Sequence, residues 1–155
     1  MITIRHFQPG DEQSYRYLNV AWVTKYWQME KQDYVTLENP RECILDRGGH
    51  ILMAVDGEKP IGCCALIARD ETTREVTKLA VDPAYQGQGI GKRIMLAVID
   101  LGRLLGAKRL YLETNEILKP AIHVYESLGF THVPPDRVTP SLYARANVFM
   151  ECFLD

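Results

Sequence analysis

The sequence predicts an α/β (α+β) domain with its elements in the order β-αα-βββ-α-β-α-ββ. Three observations carry that prediction. Short segments alternate apolar and polar residues, as strands half-buried on a sheet do. Three of these follow one another from His50 to Val81, separated only by the turn signals Asp56-Gly57 and Asp70 to Thr73, so they read as an antiparallel meander. Around them lie stretches whose apolar residues recur at helical spacing, the clearest from Ile90 to Leu105.

Taken in order, Met1 to Phe7 alternates and opens the chain as a strand. Gln8-Pro9-Gly10-Asp11 breaks it, and Asp11 is placed to cap the helix that follows. Tyr15, Leu18, Val20, Trp22 and Tyr26 form the stripe of that helix. Asp33 to Leu37 comes next, then a more polar helix over Pro40 to Asp46, and Asp46-Arg47-Gly48-Gly49 ends the section. His50 to Val55 and Pro60 to Ala68 flank Asp56-Gly57, a signal for a type I′ hairpin. Glu75 to Val81 completes the meander. In the next helix Ile90, Ile94, Val98, Leu101 and Leu105 share a face, and Gly106 is its C-cap. Arg109 to Glu113 reads as a short strand. Pro120 suits the first turn of a helix, where a missing N–H does no harm, and Gly129 closes it. Phe130 to Val133 starts a strand, Pro134 to Pro140 is a stiff loop, and Tyr143 to Phe153 reads as a long final strand.

At 155 residues, with 46% apolar and 25% charged side chains, the chain reads as a single domain, 1–155, able to bury an ordinary core. A formal charge of −2 gives no fingerprint for nucleic acid or an acidic membrane. Cys43, Cys63, Cys64 and Cys152 form no C-x-x-C pair and have no histidine at metal-ligand spacing, so neither a metal nor a disulfide is expected. Adjacent Cys63 and Cys64 should point to opposite faces of their strand. With no signal-like N-terminus and no apolar run of about 20 residues, the expected location is cytoplasmic.

The densest chemical signal is Gln86-Gly87-Gln88-Gly89-Ile90-Gly91, between a strand and a helix. A helix start carries unpaired N–H donors and partial positive charge, and glycines let an anion approach the backbone closely. A phosphate or pyrophosphate is the ligand such a turn suits. The spacing fits neither the dinucleotide fingerprint nor the P-loop. The run Q-x-x-G-x-G after Lys78-Leu79-Ala80-Val81-Asp82-Pro83 resembles the acetyl-CoA loop of the GNAT superfamily of N-acyltransferases. Leu112-Glu113-Thr114-Asn115, followed by Pro120-Ala121-Ile122-His123-Val124-Tyr125-Glu126-Ser127-Leu128-Gly129-Phe130, resembles that family's later signature.

The resemblance implies a GNAT fold, a mixed and strongly twisted sheet of six to seven strands flanked by about four helices. It implies acetyl-CoA as co-substrate, with no metal. By resemblance, Leu79 and Val81 hold the pantetheine arm through their backbones, and it lies where the strands of Glu75–Val81 and Arg109–Glu113 splay apart. Gln86, Gly87, Gln88, Gly89, Ile90, Gly91 and Lys92 hold the pyrophosphate. Gln86 stands where many members have Arg, which shifts the binding onto amides, Lys92 and Arg93. Asn115 would contact the pantetheine or its wall, or else cap a turn.

Acyl transfer from a thioester to an amine has two proton problems. An alkylammonium is almost wholly protonated near neutrality, so its proton must leave, and the departing thiolate benefits from gaining one. Tyr125 matches the family tyrosine and is the acid candidate; a packed core tyrosine is the alternative. Glu75, six residues before Val81, is the candidate base, with Glu113 or water as competitors. Trp22, Tyr26 and Trp27 cluster where, by resemblance, the family's helices line the acceptor side, as core or as substrate wall, and Asp136–Ser141 with Tyr143 could form the other wall, again by resemblance. The reading is direct acetyl transfer to a primary amine of a small molecule or amino acid. A protein or peptide acceptor and a non-catalytic acyl-CoA sensor are the alternatives. No nucleic-acid or membrane partner is expected, and a homodimer is compatible with the sequence.

Overall fold

The computed structural model, which describes residues 1–155, gathers seven strands into one sheet. They are β1 (Ile2–His6), β2 (His50–Asp56), β3 (Lys59–Ala68), β4 (Thr73–Val81), β5 (Arg109–Thr114), β6 (Thr131–His132) and β7 (Val148–Phe153). Their spatial order is β1-β2-β3-β4-β5-β7-β6, and every pairing is antiparallel except β4 with β5. Five helices accompany them: α1 (Glu12–Tyr26), α2 (Lys31–Glu38), α3 (Pro40–Cys43), α4 (Ile90–Leu104) and α5 (Lys119–Ser127).

A sheet covered on both faces needs apolar residues at successive positions of its central strands, and Ile51 to Val55 are all buried. One face packs on α4 through Ile94, Met95 and Val98; the other packs on α1 and α2 through Tyr15, Leu18 and Leu37. Cys63 lies in the second cluster and Cys64 in the first, the opposite orientation expected of neighbours in a strand, and all four cysteines are free. Close approach of α4 depends on Gly62, where an added Cβ would sit 2.9 Å from the Ile94 side chain.

Four local expectations are corrected. Asp11 makes no side-chain cap; its carboxylate instead takes both guanidinium nitrogens of Arg5 and the Gln8 amide. The β2–β3 turn is not type I′, because only Gly57 has positive φ and Glu58, which carries a Cβ, does not. The helix expected over Pro40 to Asp46 is a single α-turn followed by a 3₁₀ turn at Leu45–Arg47. The last strand starts at Val148, not Tyr143. Tyr143 to Asn147 is held out of the sheet by the contacts of Tyr143, Ala144 and Arg145 with Lys78, Glu30 and Asp33.

β4 carries the distortion that opens the site. Between Cys63 and Ala65 of β3 there is one intervening residue, whereas their partners Ala80 and Thr77 enclose two, so β4 holds a bulge. Lys78 lies in it at φ 60°, the one non-glycine residue of the chain in that region. A bulge shifts side-chain phase by one position. Val76 accordingly packs toward α4, and so do Leu79 and Val81, three and five positions on. β4 pairs with β5 only from Thr73 to Val76, leaving the edge of Thr77–Val81 unpaired by β5.

Candidate active site

Two chambers open along that unpaired edge. One, of about 300 Å³, is bounded by Leu79 to Val81, the glycine loop and α5, and Gly87, Gly89, Gly91 and Lys92 line it. The other, of about 110 Å³, is lined by Glu75, Lys78, Glu113, Asp33, Tyr143 and Arg145 among others. Trp22, Leu79, Leu118 and Tyr125 line both, so the chambers meet there.

The loop chamber is a backbone site. Gly87 and Gly89 have φ of 81° and 74°, and Gly89 is the N-cap position of α4. An ordinary side chain is strained at such φ values, which accounts for glycine at both positions. A Cβ at Gly87, Gly89 or Gly91 would meet no protein atom within 4 Å, so the space beside the loop is open to a ligand. The amides from Gly87 to Lys92 donate to no backbone acceptor; the first of this stretch to do so is Arg93, to Gly89. These donors, at the positive end of a 15-residue helix, fit the diphosphate of a coenzyme A thioester. Gln86 turns back to donate to the Val81 carbonyl at 3.4 Å. Lys92 lines the chamber, whereas Arg93 donates to the Ile2 carbonyl and ties α4 to β1.

The second chamber is a side-chain site. Glu75 and Glu113 lie on neighbouring strands, and Glu75 is in register with Tyr111. Glu75 has 13% side-chain exposure and accepts from Arg69 at 2.8 Å. Burial pushes its carboxyl above the ordinary glutamate value; the Arg69 hydrogen bond opposes that, and the Glu113 charge adds to it. Glu113 accepts from the hydroxyls of Tyr111 at 2.9 Å and Ser141 at 2.5 Å. Across the cleft Asp33, fully buried, takes Arg145 in a bidentate pair at 2.7 and 2.8 Å. Burial alone would raise the Asp33 carboxyl, but the Arg145 hydrogen bonds, the Glu30 amide and the charges of Arg145 and Lys78 together hold it below the usual range.

Tyr125 stands at the junction. It is buried against Phe130 on the last turns of α5, and burial, with no hydrogen bond to offset it, pushes its phenol well above 10. The phenol is thus protonated at neutral pH. Asn115 lines the side-chain chamber but has both polar atoms engaged, donating to the Arg145 carbonyl at 2.6 Å and accepting from the Ile117 amide at 2.9 Å. Trp22 borders both chambers, Tyr26 only the loop chamber, and Trp27 only the side-chain chamber. The sequence pointed to none of Asp33, Lys78 and Arg145. One signal was present for Lys78: the phase break from Val76 to Leu79 and Val81 marks a bulge.

Comparisons with known proteins identify the family and the fold. The acetyltransferase (GNAT) family model matches residues 13–130. Mycothiol acetyltransferase of Thermomonospora curvata is 33% identical over 143 residues, covering 87% of this chain and 46% of that protein. The chain spans about half the length of the curated relatives it matches first, 56% and 46% of them. A GNAT-family acetyltransferase from Staphylococcus aureus Mu50 superposes over the full length of both chains with TM-score 0.89 at 22% identity. A Salmonella typhimurium protein solved with its cofactor acetyl-CoA superposes with TM-score 0.75 at 20% identity, over 100% of this chain and 95% of that one. The chain, 118 of whose residues fall within that family model, belongs to the acetyltransferase (GNAT) family.

Proposed function

We propose that the protein is an N-acetyltransferase that moves an acetyl group from acetyl-CoA directly to a primary amine of a small molecule or an amino acid. The observation that carries this reading is the placement of Tyr125 where the amide-lined chamber opens into the carboxylate-lined one. Acetyl-CoA supplies an activated thioester whose C–S bond breaks as the amide C–N bond forms. The free amides of Gly87 to Lys92 bind its diphosphate, each charge-assisted hydrogen bond contributing about 1.5–3 kcal/mol. The unpaired edge of β4 at Leu79 and Val81 offers backbone partners to the pantetheine arm, in the manner of an added strand.

Glu75 takes the proton of the acceptor ammonium, directly or through one water; its raised pKa brings it closer to the amine than an exposed glutamate would be. Tyr125 gives a proton to the sulfur that leaves. A covalent acyl-enzyme has no support in the chamber walls: no cysteine lines either chamber, and burial pushes the Cys63 thiol up to about 12.

The test is chromatographic measurement of CoA released from acetyl-CoA with amines, polyamines, amino acids and peptides as acceptors. Release above the acceptor-free rate, matched one-to-one by N-acetylated product, is expected for one class. Tight acetyl-CoA binding with no release for any class would overturn catalysis in favour of an acyl-CoA sensor.

A further inference from the structure

The charges of the side-chain chamber do not cancel evenly. Asp33 and Glu30 share Arg145, with Lys78 4.0 Å from Asp33, and Glu75 has Arg69. Two charged groups keep hydrogen-bonding capacity that no ion pair uses. The Lys78 ammonium, on a side chain only 8% exposed, donates to the neutral Tyr143 hydroxyl at 2.7 Å and lies 4.0 Å from an Asp33 oxygen that Arg145 already occupies. Glu113 is held only by the two neutral hydroxyls of Tyr111 and Ser141. An ammonium has three donors and a carboxylate about four acceptor sites, so each keeps capacity for a ligand.

The placement of Lys78 is costly, because a non-glycine residue at φ 60° carries backbone strain. The bulge that imposes it aims the side chain across the cleft toward α2 and the 141–145 turn. That turn braces both groups at once, since the Tyr143 amide donates to the Ser141 hydroxyl at 3.0 Å. The chamber therefore presents one ammonium with unused donors and one carboxylate with unused acceptors to the same small volume.

We propose that the acceptor is a zwitterion, an amine that also bears a carboxylate, with the carboxylate on Lys78 and the ammonium at Glu113 and Glu75. This rests on the acetyl-transfer reading above and narrows its acceptor. A polyamine would set a second cation against Lys78 and leave that ammonium unmatched, which is unfavourable.

The experiment uses matched triplets: an α-amino acid, its carboxamide, and the amine left by removing its carboxyl group. CoA release is measured with each, for the parent, Lys78→Met and Lys78→Arg, and binding of the amino acid and its amide is followed by calorimetry. For at least one triplet the parent is expected to favour the amino acid in kcat/KM by about tenfold or more, the size of one charge-assisted hydrogen bond. Lys78→Met should bring that ratio toward one, mainly through the KM of the amino acid, and Lys78→Arg should restore part of it. Equal kcat/KM across every triplet in the parent overturns the zwitterion while acetyl transfer stands, whether or not the variants fold. No release with any acceptor, but calorimetric preference for an amino acid that Lys78→Met abolishes, keeps the anion site and overturns acetyl transfer to these acceptors. Absence of both overturns the two together.

Discussion

The loop chamber draws its chemistry from the backbone of one hexapeptide, whereas the side-chain chamber draws its from segments as far apart as Asp33 and Arg145, 112 positions along the chain. The difference sets what each can tolerate. Backbone amides are present whatever the side chains are, so the loop needs only that nothing obstruct them. The side-chain chamber works only if several buried charges stay matched, and one substitution leaves a partner exposed to the low dielectric without its counter-charge.

The largest effect follows from that contrast. Asp33→Ala leaves Arg145 with the partly exposed Glu30 alone and removes the charge nearest Lys78, and breaking a buried pair costs about 3–5 kcal/mol. Denaturant unfolding should register the loss. A change below about 1 kcal/mol would show that water reaches and screens the pair. The pair also has a pH signature of fixed sign. Because the Asp33 carboxyl is held low in the folded protein, its stabilisation is present above the ordinary aspartate pKa and is lost as pH falls through the lowered folded value.

Gly89→Trp probes the other chamber. The Cβ position at Gly89 faces no protein atom within 4 Å, so the indole would occupy the space left beside the loop amides. Acetyl-CoA affinity should weaken by about 1000-fold, equivalent to two or three charge-assisted hydrogen bonds. Thermal unfolding of the variant separates the strain of a tryptophan at φ 74° from blocked binding. Retained affinity would undo the loop assignment.

How much of each chamber was legible in the sequence follows the same division. Gln86 to Gly91 is contiguous, and its six letters state both the turn and the open space, because glycine at positive φ beside a helix start is a local property. Tyr125 was legible because it travels with Leu128-Gly129-Phe130 in one helix and its cap. Lys78, Asp33 and Arg145 were not, since their roles exist only after a bulge turns one strand and a turn folds over the cleft. Tyr143 to Asn147 shows the cost of local reasoning: alternation suggested strand, but ion pairs with α2 and its N-cap Glu30 outweigh a few ladder hydrogen bonds. The order β2-β3-β4 was readable because hairpin connections leave few ways to pair those three strands.

Tyr125→Phe tests where the chambers meet. Removing the phenol should lower kcat by about 100-fold, the low end for a general acid, and change acetyl-CoA affinity far less. Single-turnover measurement isolates the chemical step, and equal turnover in variant and parent would remove the acid assignment.

The smallest effect is on the acid–base chemistry of Glu75. Its charged neighbours act in opposite directions: Glu113 raises its pKa further, whereas Arg69, donating at 2.8 Å, and the Lys78 charge oppose the rise. Arg69→Gln removes one of the opposing charges and should move the acidic limb of kcat/KM to higher pH, because Glu75 must lose its proton before it can accept one. Glu75→Gln should abolish that limb along with most of the rate. Arg69 is 37% exposed, so the stability cost of the first variant is about 1 kcal/mol or less. Its sign with pH is opposite to that of Asp33: a carboxyl raised on folding favours the folded state below its unfolded pKa, and that contribution is lost as pH rises through the folded value. Arg69→Gln widens this window upward. A limb that stays in place in Arg69→Gln would assign the titrating base to a group other than Glu75, with Glu113, which is held by Tyr111 and Ser141 and makes no hydrogen bond with Arg69, the next to test.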